Sequence, residues 1–390
     1  MIRNLLKVLW NDRKSYLGIF VEQVVVFVVL MVGVVSVVTV FKQYCAPGML
    51  DTENTVGFGY MLSNTSSGTE NLKWEDMKAI AETVVANIKE LPYVEEVTWS
   101  CGMIPYMRSQ ALHDSIRIDG KTLFVNWRAS DGAGAKVFRP DIIEGDWLTN
   151  SVLEDGSFTC VVTKQLTDDL KWEQALGRKI VYEGKTFTVV GVLSGIKHAA
   201  FELSEPTVIV DLNRISSIGS FREFCARVQP GKEMDFILAY YKEFNRLLPM
   251  KNVQAYAAVM QKAKKQFMSM LTINLYLQAI PTLFLLFFAF IGTFGLFLQH
   301  TETRVHEFAV RLSVGATTRN LLTFVILEST VVTLLASIPG VLLSFFIYDY
   351  IMIEVTGIAV TLVIMLFFSV LSAWFPAYKV TKINPAIALK

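Results

Sequence analysis

Six residues between positions 304 and 316 have types and spacing that suit a docking surface: Arg304, Glu307, Phe308, Arg311, Gly315 and Ala316. They lie in a charged segment, residues 299–320, that separates two apolar runs. Val305, Phe308, Ala309 and Leu312 recur at helical spacing and predict one apolar face, while Arg304, Glu307 and Arg311 fall on another. Gly315 suits the stop, because the residue that ends a helix in the left-handed conformation is usually glycine. With Arg319 the segment carries three arginines and is long enough to fold and to dock on another surface.

Two more carboxylates sit inside apolar runs. Glu22 is about five residues into the first run, or ~8 Å at the helical rise, and Glu328 lies in the third. A carboxylate at mid-membrane costs roughly 2.5–3.5 kcal/mol on insertion scales, so a shallow Glu22 is expected to make an interhelical or interfacial hydrogen bond, not to relay protons. Gly120-Lys121-Thr122 and Gly184-Lys185-Thr186 invite a phosphate-loop reading. The spacing rejects it, since the glycine required five residues upstream is Ser115 in one copy and Lys179 in the other. Cys45, Cys101, Cys160 and Cys225 lack the paired spacing of a zinc site; an exported compartment permits disulfides, but buried thiols are the favoured reading. His113, His198, His300 and His306 are scattered. No nucleophile triad, metal cluster or carboxylate pair is placed together, so no catalytic, metal or cofactor site is expected.

The elements that position these groups follow from composition. Of 390 residues, 53% are hydrophobic and 18% charged, with mean hydropathy +0.43, on the apolar side of roughly 45–50% and ~25% for globular chains. The net charge of +1 excludes bulk attraction to nucleic acid. Four runs, 17–40, 271–298, 321–348 and 355–375, approach the length needed to cross a hydrocarbon core of ~30 Å. The first exceeds the roughly 7–15-residue core of a signal peptide and lacks a small-residue cleavage site, so it reads as uncleaved. Residues 1–16 place Ile2, Leu5, Leu6 and Leu9 on one stripe beside Arg3, Lys7, Arg13 and Lys14, predicting an amphipathic helix in the headgroup region. The expected fold class is a membrane protein of four transmembrane α-helices with a large mixed α/β domain, 41–270, inserted between helices 1 and 2.

Within that domain the spacing of Trp74, Met77, Ile80, Val84, Ile88 and Leu91 predicts a helix over 73–91, ended by Pro92. Residues 116–125 and 180–189 read as hairpins about an acidic-Gly turn. Residues 49–70 read as loop or irregular strand, 235–248 as helix, and 253–270 as a helix running into the second span, where Pro281 is a candidate kink. Basic residues cluster before the first helix (Arg3, Lys7, Arg13, Lys14), between the second and third (Arg304, Arg311, Arg319) and after the fourth (Lys379, Lys382, Lys390). By the positive-inside tendency both termini, with the tail 376–390, and the segment 299–320 are expected in the cytoplasm and the inserted domain outside.

The run from Ile291-Gly292-Thr293 through Glu307-Phe308-Ala309-Val310-Arg311-Leu312-Ser313-Val314-Gly315-Ala316-Thr317 resembles the "E-I-x-x-R-x-x-x-G-A" signature of MacB/FtsX-type ABC transporter permeases. Phe308 replaces the usual aliphatic residue and keeps the apolar contact. The tail from Phe375-Pro376-Ala377 to Pro385-Ala386-Ile387-Ala388-Leu389 is similar to the family's closing signature, with Val380 where alanine is common. Residues 138–212 are similar in order to its periplasmic core domain, with Trp147 in place of phenylalanine.

The resemblance implies that 299–320 is the coupling helix, that Glu328 has a packing role, and that the helix before the second span extends as a stalk. These 390 residues hold no Walker A motif, so ATP is expected to be bound and hydrolysed by a cognate ABC ATPase subunit, this chain being no enzyme. The other implied partners are membrane lipid, a second permease protomer forming a homo- or heterodimer, and a periplasmic adaptor with an outer-membrane channel. The implied location is the bacterial inner membrane. The expected function is export or extraction of a hydrophobic, peptide-like or lipid-linked substrate. Release of lipoproteins, and FtsX-like signalling to a cell-wall hydrolase without transport, are the alternatives.

Overall fold

The computed structural model describes residues 13–62, 74–107, 112–215, 223–248, 253–347 and 352–382. The headgroup helix expected over 1–16 lies outside them up to residue 12, and α1 is Arg13–Cys45. Pro385, Ala388 and Leu389 of the closing signature also lie outside the described residues. The chain divides into two compact units, residues 43–271 and residues 1–42 with 272–390.

The unit 43–271 carries β1 (Thr55–Leu62), α2 (Trp74–Lys89), β2 (Val94–Cys101), β3 (Leu112–Ile118), β4 (Lys121–Ser130), α3 (Gly134–Phe138), β5 (Ile142–Gly145) and β6 (Phe158–Thr163). After these come α4 (Lys164–Leu170), β7 (Lys179–Tyr182), β8 (Lys185–Leu193), β9 (Thr207–Asp211), β10 (Glu223–Val228), α5 (Glu233–Leu247) and β11 (Val253–Val259). Among the described residues the strands form one eleven-stranded sheet ordered β11-β1-β10-β2-β4-β9-β6-β8-β5, with β3 added to β4 and β7 to β8. The β4/β9 and β6/β8 pairs are parallel and the others antiparallel, so the domain is mixed α/β.

Side-chain spacing explains how the helices cover this sheet. Ala81, Val84, Val85 and Ile88 of α2, and Phe236, Tyr240 and Phe244 of α5, repeat every three or four residues and bury against Val56, Phe58, Phe224 and Ala226. Each such burial is worth roughly 1.5–3 kcal/mol for a large apolar side chain. Strand β4 sends Val125, Trp127 and Ala129 into a second core with Val162, Leu166, Phe187 and Val208, leaving Asn126 and Arg128 on its other face. Both expected hairpins form. Their turns place Asp119 and Gly120 at φ 49° and 79°, and Glu183 and Gly184 at 46° and 72°, the paired positive φ of a type I′ turn.

Two expectations fail here. The segment 49–70, read as loop or irregular strand, contains β1, an interior strand between β10 and β11. Gly57 and Gly59 hid it by lowering its strand propensity, yet a Cβ at Gly57 would meet Met107 Sδ at 2.6 Å, so close side-chain approach explains the small residue. The helix expected from residue 253 begins only at Met260, because Val253–Val259 pairs along its length with β1. Apolar residues three apart, Val253, Tyr256 and Val259, mimic a helical stripe, and the hydrogen bonds of the sheet decide otherwise.

The second unit holds most of α1, then α6 (Met260–Thr303), α7 (Val305–Ser313), α8 (Thr318–Ile347) and α9 (Met352–Val380). Among the described residues four helices are long and apolar enough to span a bilayer: Tyr16–Cys45, Met260–Thr303, Thr318–Leu343 and Val355–Val380. The second and fourth extend beyond the apolar runs 271–298 and 355–375, because the helical hydrogen bonds continue through polar and basic residues that a hydropathy reading stops at. Pro281 is accommodated inside α6. Val26, Phe27, Leu30 and Met31 of α1 pack with Leu286 of α6 and Met365 of α9. Gly340 lets α8 approach closely, since a Cβ there would collide with the Phe27 ring. Thr333 Oγ1 donates to Ser369 Oγ at 2.7 Å, a polar tie between α8 and α9.

Candidate functional site

Arg304 is the single residue between α6 and α7, and its guanidinium organises the junction. Nε donates to Glu307 Oε2 at 2.8 Å and Nη2 to Glu307 Oε1 at 3.2 Å, a two-point pair. Nη1 donates to Glu328 Oε1 on α8 at 2.8 Å and reaches Tyr16 Oη on α1 at 3.3 Å. The same nitrogen lies 3.2 Å from His300 Nε2 on α6. Tyr16 Oη also donates to Glu328 and meets His300 Nε2. Glu328 is 2% exposed and Arg304 9%, so this cluster is enclosed. Arg311, one turn after Glu307, donates to Glu307 Oε1 at 2.5 Å and lies 4.4 Å from the centre of the Phe324 ring.

Packing reinforces the polar ties. Phe308 is fully buried with Tyr16, Ile19, Phe297, Leu321, Phe324 and Ala377, which belong to α1, α6, α8 and α9. The short helix α7 therefore shares one apolar core with residues of all four spanning helices. Its end follows the Schellman pattern: Gly315 has φ +99°, Gly315 N donates to Leu312 O at 3.1 Å and Ala316 N to Arg311 O at 2.9 Å. Ala316 packs partly against the same core. Val310 and Val314, four residues apart, are 42% and 83% exposed and leave an apolar edge on the side away from it.

Electrostatics favour the charged forms of Arg304 and Glu307. Burial acts to lower the Arg304 pKa, but Glu307 and Glu328 outweigh it and the pKa is raised. Burial would raise that of Glu307, and Arg304 and Arg311 hold it below the ordinary carboxylate range.

Of the residues singled out from the sequence, Arg304, Glu307, Phe308, Arg311 and Glu328 come together, with Gly315 and Ala316 closing α7. Glu22 does not join them. It is half-buried on α1 beside Gly292 of α6. Tyr16 and His300 are additions. The available signal for His300 was its place four residues before Arg304, one helical turn away. Elsewhere the lysines of the two Gly-Lys-Thr runs are engaged by backbone: Lys121 Nζ donates to Asp169 O and Lys185 Nζ to Arg214 O. No disulfide joins the four described cysteines. Cys45 is exposed and the other three buried, and burial pushes the Cys101 thiol up to about 12. Among the described residues no cluster of three or more His, Cys, Asp or Glu is arranged to hold a metal.

Comparison with known proteins gives two family matches, the MacB-like periplasmic core domain over residues 24–239 and the FtsX-like permease C-terminal domain over residues 279–385. The chain is 23% identical over 395 aligned residues to the macrolide export ATP-binding/permease protein MacB of Campylobacter jejuni, covering 96% of this chain and 58% of that protein. It is 23% identical over 273 residues to the pyoverdine export ATP-binding/permease protein PvdT of Pseudomonas fluorescens, covering 65% of this chain and 41% of that protein. The chain thus spans 58% of the length of that MacB and 41% of that of PvdT. Among solved structures, the periplasmic region of MacB from Actinobacillus actinomycetemcomitans aligns with TM-score 0.39 and 14% identity over 55% of this chain and 93% of that one. The first family match alone covers more than half of the residues, and the second takes in the arginine junction and three of the four spanning helices: the chain is a multi-pass membrane protein of the MacB/FtsX-type ABC transporter permease family.

Proposed function

We propose that this chain is the permease subunit of an exporter in which a separate ABC ATPase subunit binds and hydrolyses ATP and drives the extracytoplasmic domain through the spanning helices. The observation that carries the reading is the Arg304 junction. A nine-residue helix tied to α1, α6 and α8 by one buried guanidinium, and sharing the Phe308 core with α9, is suited to carry motion into the bundle. Its exposed edge at Val310 and Val314 is the surface offered to the ATPase. The termini and α7 are on the cytoplasmic side of a bacterial inner membrane and residues 43–271 outside, as the distribution of Lys and Arg favours. The substrate class is hydrophobic, peptide-like or lipid-linked, by analogy with relatives named for macrolide and pyoverdine export. A second permease protomer completes the assembly, served by a periplasmic adaptor and outer-membrane channel.

The test is reconstitution with a candidate ABC ATPase subunit. Val314→Asp, which alters an exposed side chain and leaves the junction intact, is expected to weaken co-purification of the ATPase. Charge reversal at Arg311 is expected to leave basal ATP hydrolysis in place while removing its stimulation by the permease. Full stimulation in both variants refutes the assignment.

A further inference from the structure

The first spanning helix ends where a proline removes a hydrogen bond. In an α-helix the carbonyl of residue 43 accepts from the N–H of residue 47, and Pro47 has none. Gln43 O is left without its helical partner, and α1 stops at Cys45. Lys197, in the loop after β8, supplies the donor: its Nζ donates to Gln43 O at 3.0 Å and to Ala46 O at 2.5 Å. Lys197 is 1% exposed, a degree of burial that lysine almost never reaches unless partners hold it. Its charge sits at the carbonyl end of a helix, the end that favours a cation. Gln43, Ala46 and Lys197 all belong to the unit 43–271.

The chain beyond Ala46 is held along its length. Lys197 N donates to Gly48 O at 2.9 Å, and Met49 forms a parallel bridge with Lys197. Gly48 has φ +108°, and a Cβ there would meet Gly195 C at 2.7 Å and Ile196 N at 2.8 Å, so the two backbones are in contact. Further on, Arg227 of β10, also buried, donates from Nη1 to Glu53 O at 2.9 Å and from Nη2 to Asp51 Oδ2 at 3.0 Å. Tyr44 stacks on Phe201, in the same loop as Lys197, with ring centres 5.6 Å apart. Residues 43–53 are thus fastened to the sheet domain by two buried cations, backbone hydrogen bonds and a ring stack, where a flexible linker would let helix and domain move independently. Two of these ties, Lys197 to Gln43 and Tyr44 to Phe201, grip the helix itself; the others hold the segment after it.

We propose that Lys197 is a positioning residue for transmission: it makes the last turn of α1 and the loop after β8 one body, so that movement of the helix is delivered to the sheet. This deepens the proposed function and rests on the reading of the chain as a transmitter driven by an ABC ATPase. An ordinary residue at position 47 offers its own N–H to the helix end and leaves the domain untied. Proline at that place hands the carbonyl of Gln43 to a side chain of the domain instead.

The test is amide hydrogen exchange, read by mass spectrometry, on the full chain in lipid nanodiscs with a candidate ABC ATPase subunit, with and without ATP plus vanadate. In the parent, nucleotide is expected to change exchange both in α7 and in the extracytoplasmic unit. Lys197→Met keeps the stem and removes the donors; the response in α7 is expected to persist and the response in the unit 43–271 to be lost. Adding Pro47→Ala returns an amide donor to the helix end without the tie, and the loss is expected to remain. Recovery in that double variant reduces Lys197 to a helix cap and overturns the proposal. Tyr44→Ala, at an exposed position, is expected to weaken the domain response and decides the matter if Lys197→Met does not fold, as maleimide labelling of the buried cysteines Cys101, Cys160 and Cys225 would report. A domain response equal to the parent's in Lys197→Met, or in Tyr44→Ala where Lys197→Met is unfolded, also overturns it. A parent whose extracytoplasmic unit ignores nucleotide refutes the transmitter reading itself, and the role of Lys197 falls with it.

Discussion

Replacing Glu328 by glutamine tests the Arg304 junction most directly. The change keeps the shape and removes the charge at a site 2% exposed, while the Arg304 guanidinium, 9% exposed, stays in place. Breaking a buried ion pair from one side costs roughly 3–5 kcal/mol, because the remaining charge is left uncompensated. Glu307 still holds Arg304 through Nε and Nη2, but that carboxylate is 39% exposed and screens poorly for the loss. The expected destabilisation is therefore about 3 kcal/mol, at the lower end of that range. At roughly 2–4 °C per kcal/mol for a unit of this size, the midpoint of thermal unfolding in detergent should fall by about 6–12 °C. Glu307→Gln, at a half-exposed position, should cost less than about 1 kcal/mol. The decisive comparison is Arg304→Met combined with Glu328→Leu, which removes both buried charges. The pair of changes should recover most of the loss seen in Glu328→Gln, since well-packed apolar replacements of an ion pair are often neutral. A Glu328→Gln protein within about 0.5 kcal/mol of the parent would falsify the electrostatic account, as would a double variant whose loss equals the sum of the single losses.

Gly315→Ala isolates the stop of α7: no atom lies within 4 Å of the added Cβ, so only the positive φ of +99° is penalised. The expected loss is about 1 kcal/mol, partly recovered by Gly315→Asn, read as the unfolding midpoint. Cys45 is the exposed cysteine, at the end of α1. A membrane-impermeant maleimide added outside spheroplasts should label it and spare Cys101, Cys160 and Cys225 until the domain is denatured; labelling of Cys45 only after lysis refutes the proposed orientation. Burial and Arg128, with His113 adding and the Ile104 carbonyl opposing, lower His198 to about 4, whereas the unfolded value is about 6.5. The neutral ring therefore contributes stability that is complete above pH ~6.5 and is lost as pH falls toward 4. At about 1.4 kcal/mol per pH unit the loss reaches roughly 3 kcal/mol. His198→Gln should flatten the stability profile between pH 6.5 and 4, and an unchanged profile assigns the acid sensitivity elsewhere.

What the sequence made legible is local. Runs of apolar residues near bilayer length located the four spanning helices, and Asp119-Gly120 and Glu183-Gly184 announced their hairpins because only a few residue pairs tolerate two successive positive φ values. The spacing of Val305, Phe308, Ala309 and Leu312 gave the buried side of α7. What escaped depends on distant partners. Strand β1 reads as loop until Tyr256 and Met107 are seen occupying the space over Gly59 and Gly57, and β11 reads as helix until its pairing with β1 is known. Tyr16 meets His300 and Glu328 across 284 and 312 positions of chain. Helical spacing carries no information at that separation. The bonds from Lys197 to Gln43 and Ala46 likewise become visible only once the loop after β8 meets the end of α1.

The geometry around Arg304 also limits how this junction can change over generations. One planar group with a fork of fixed donors serves Glu307 from one edge and Glu328 with Tyr16 from the other. A lysine offers a single charged point and reaches one of those acceptors at a time. A drift to lysine at 304, or to a neutral residue at 328, therefore opens an intermediate with a stranded charge in the bundle, and lineages can cross it only by altering both positions together or by gaining a new neighbour first.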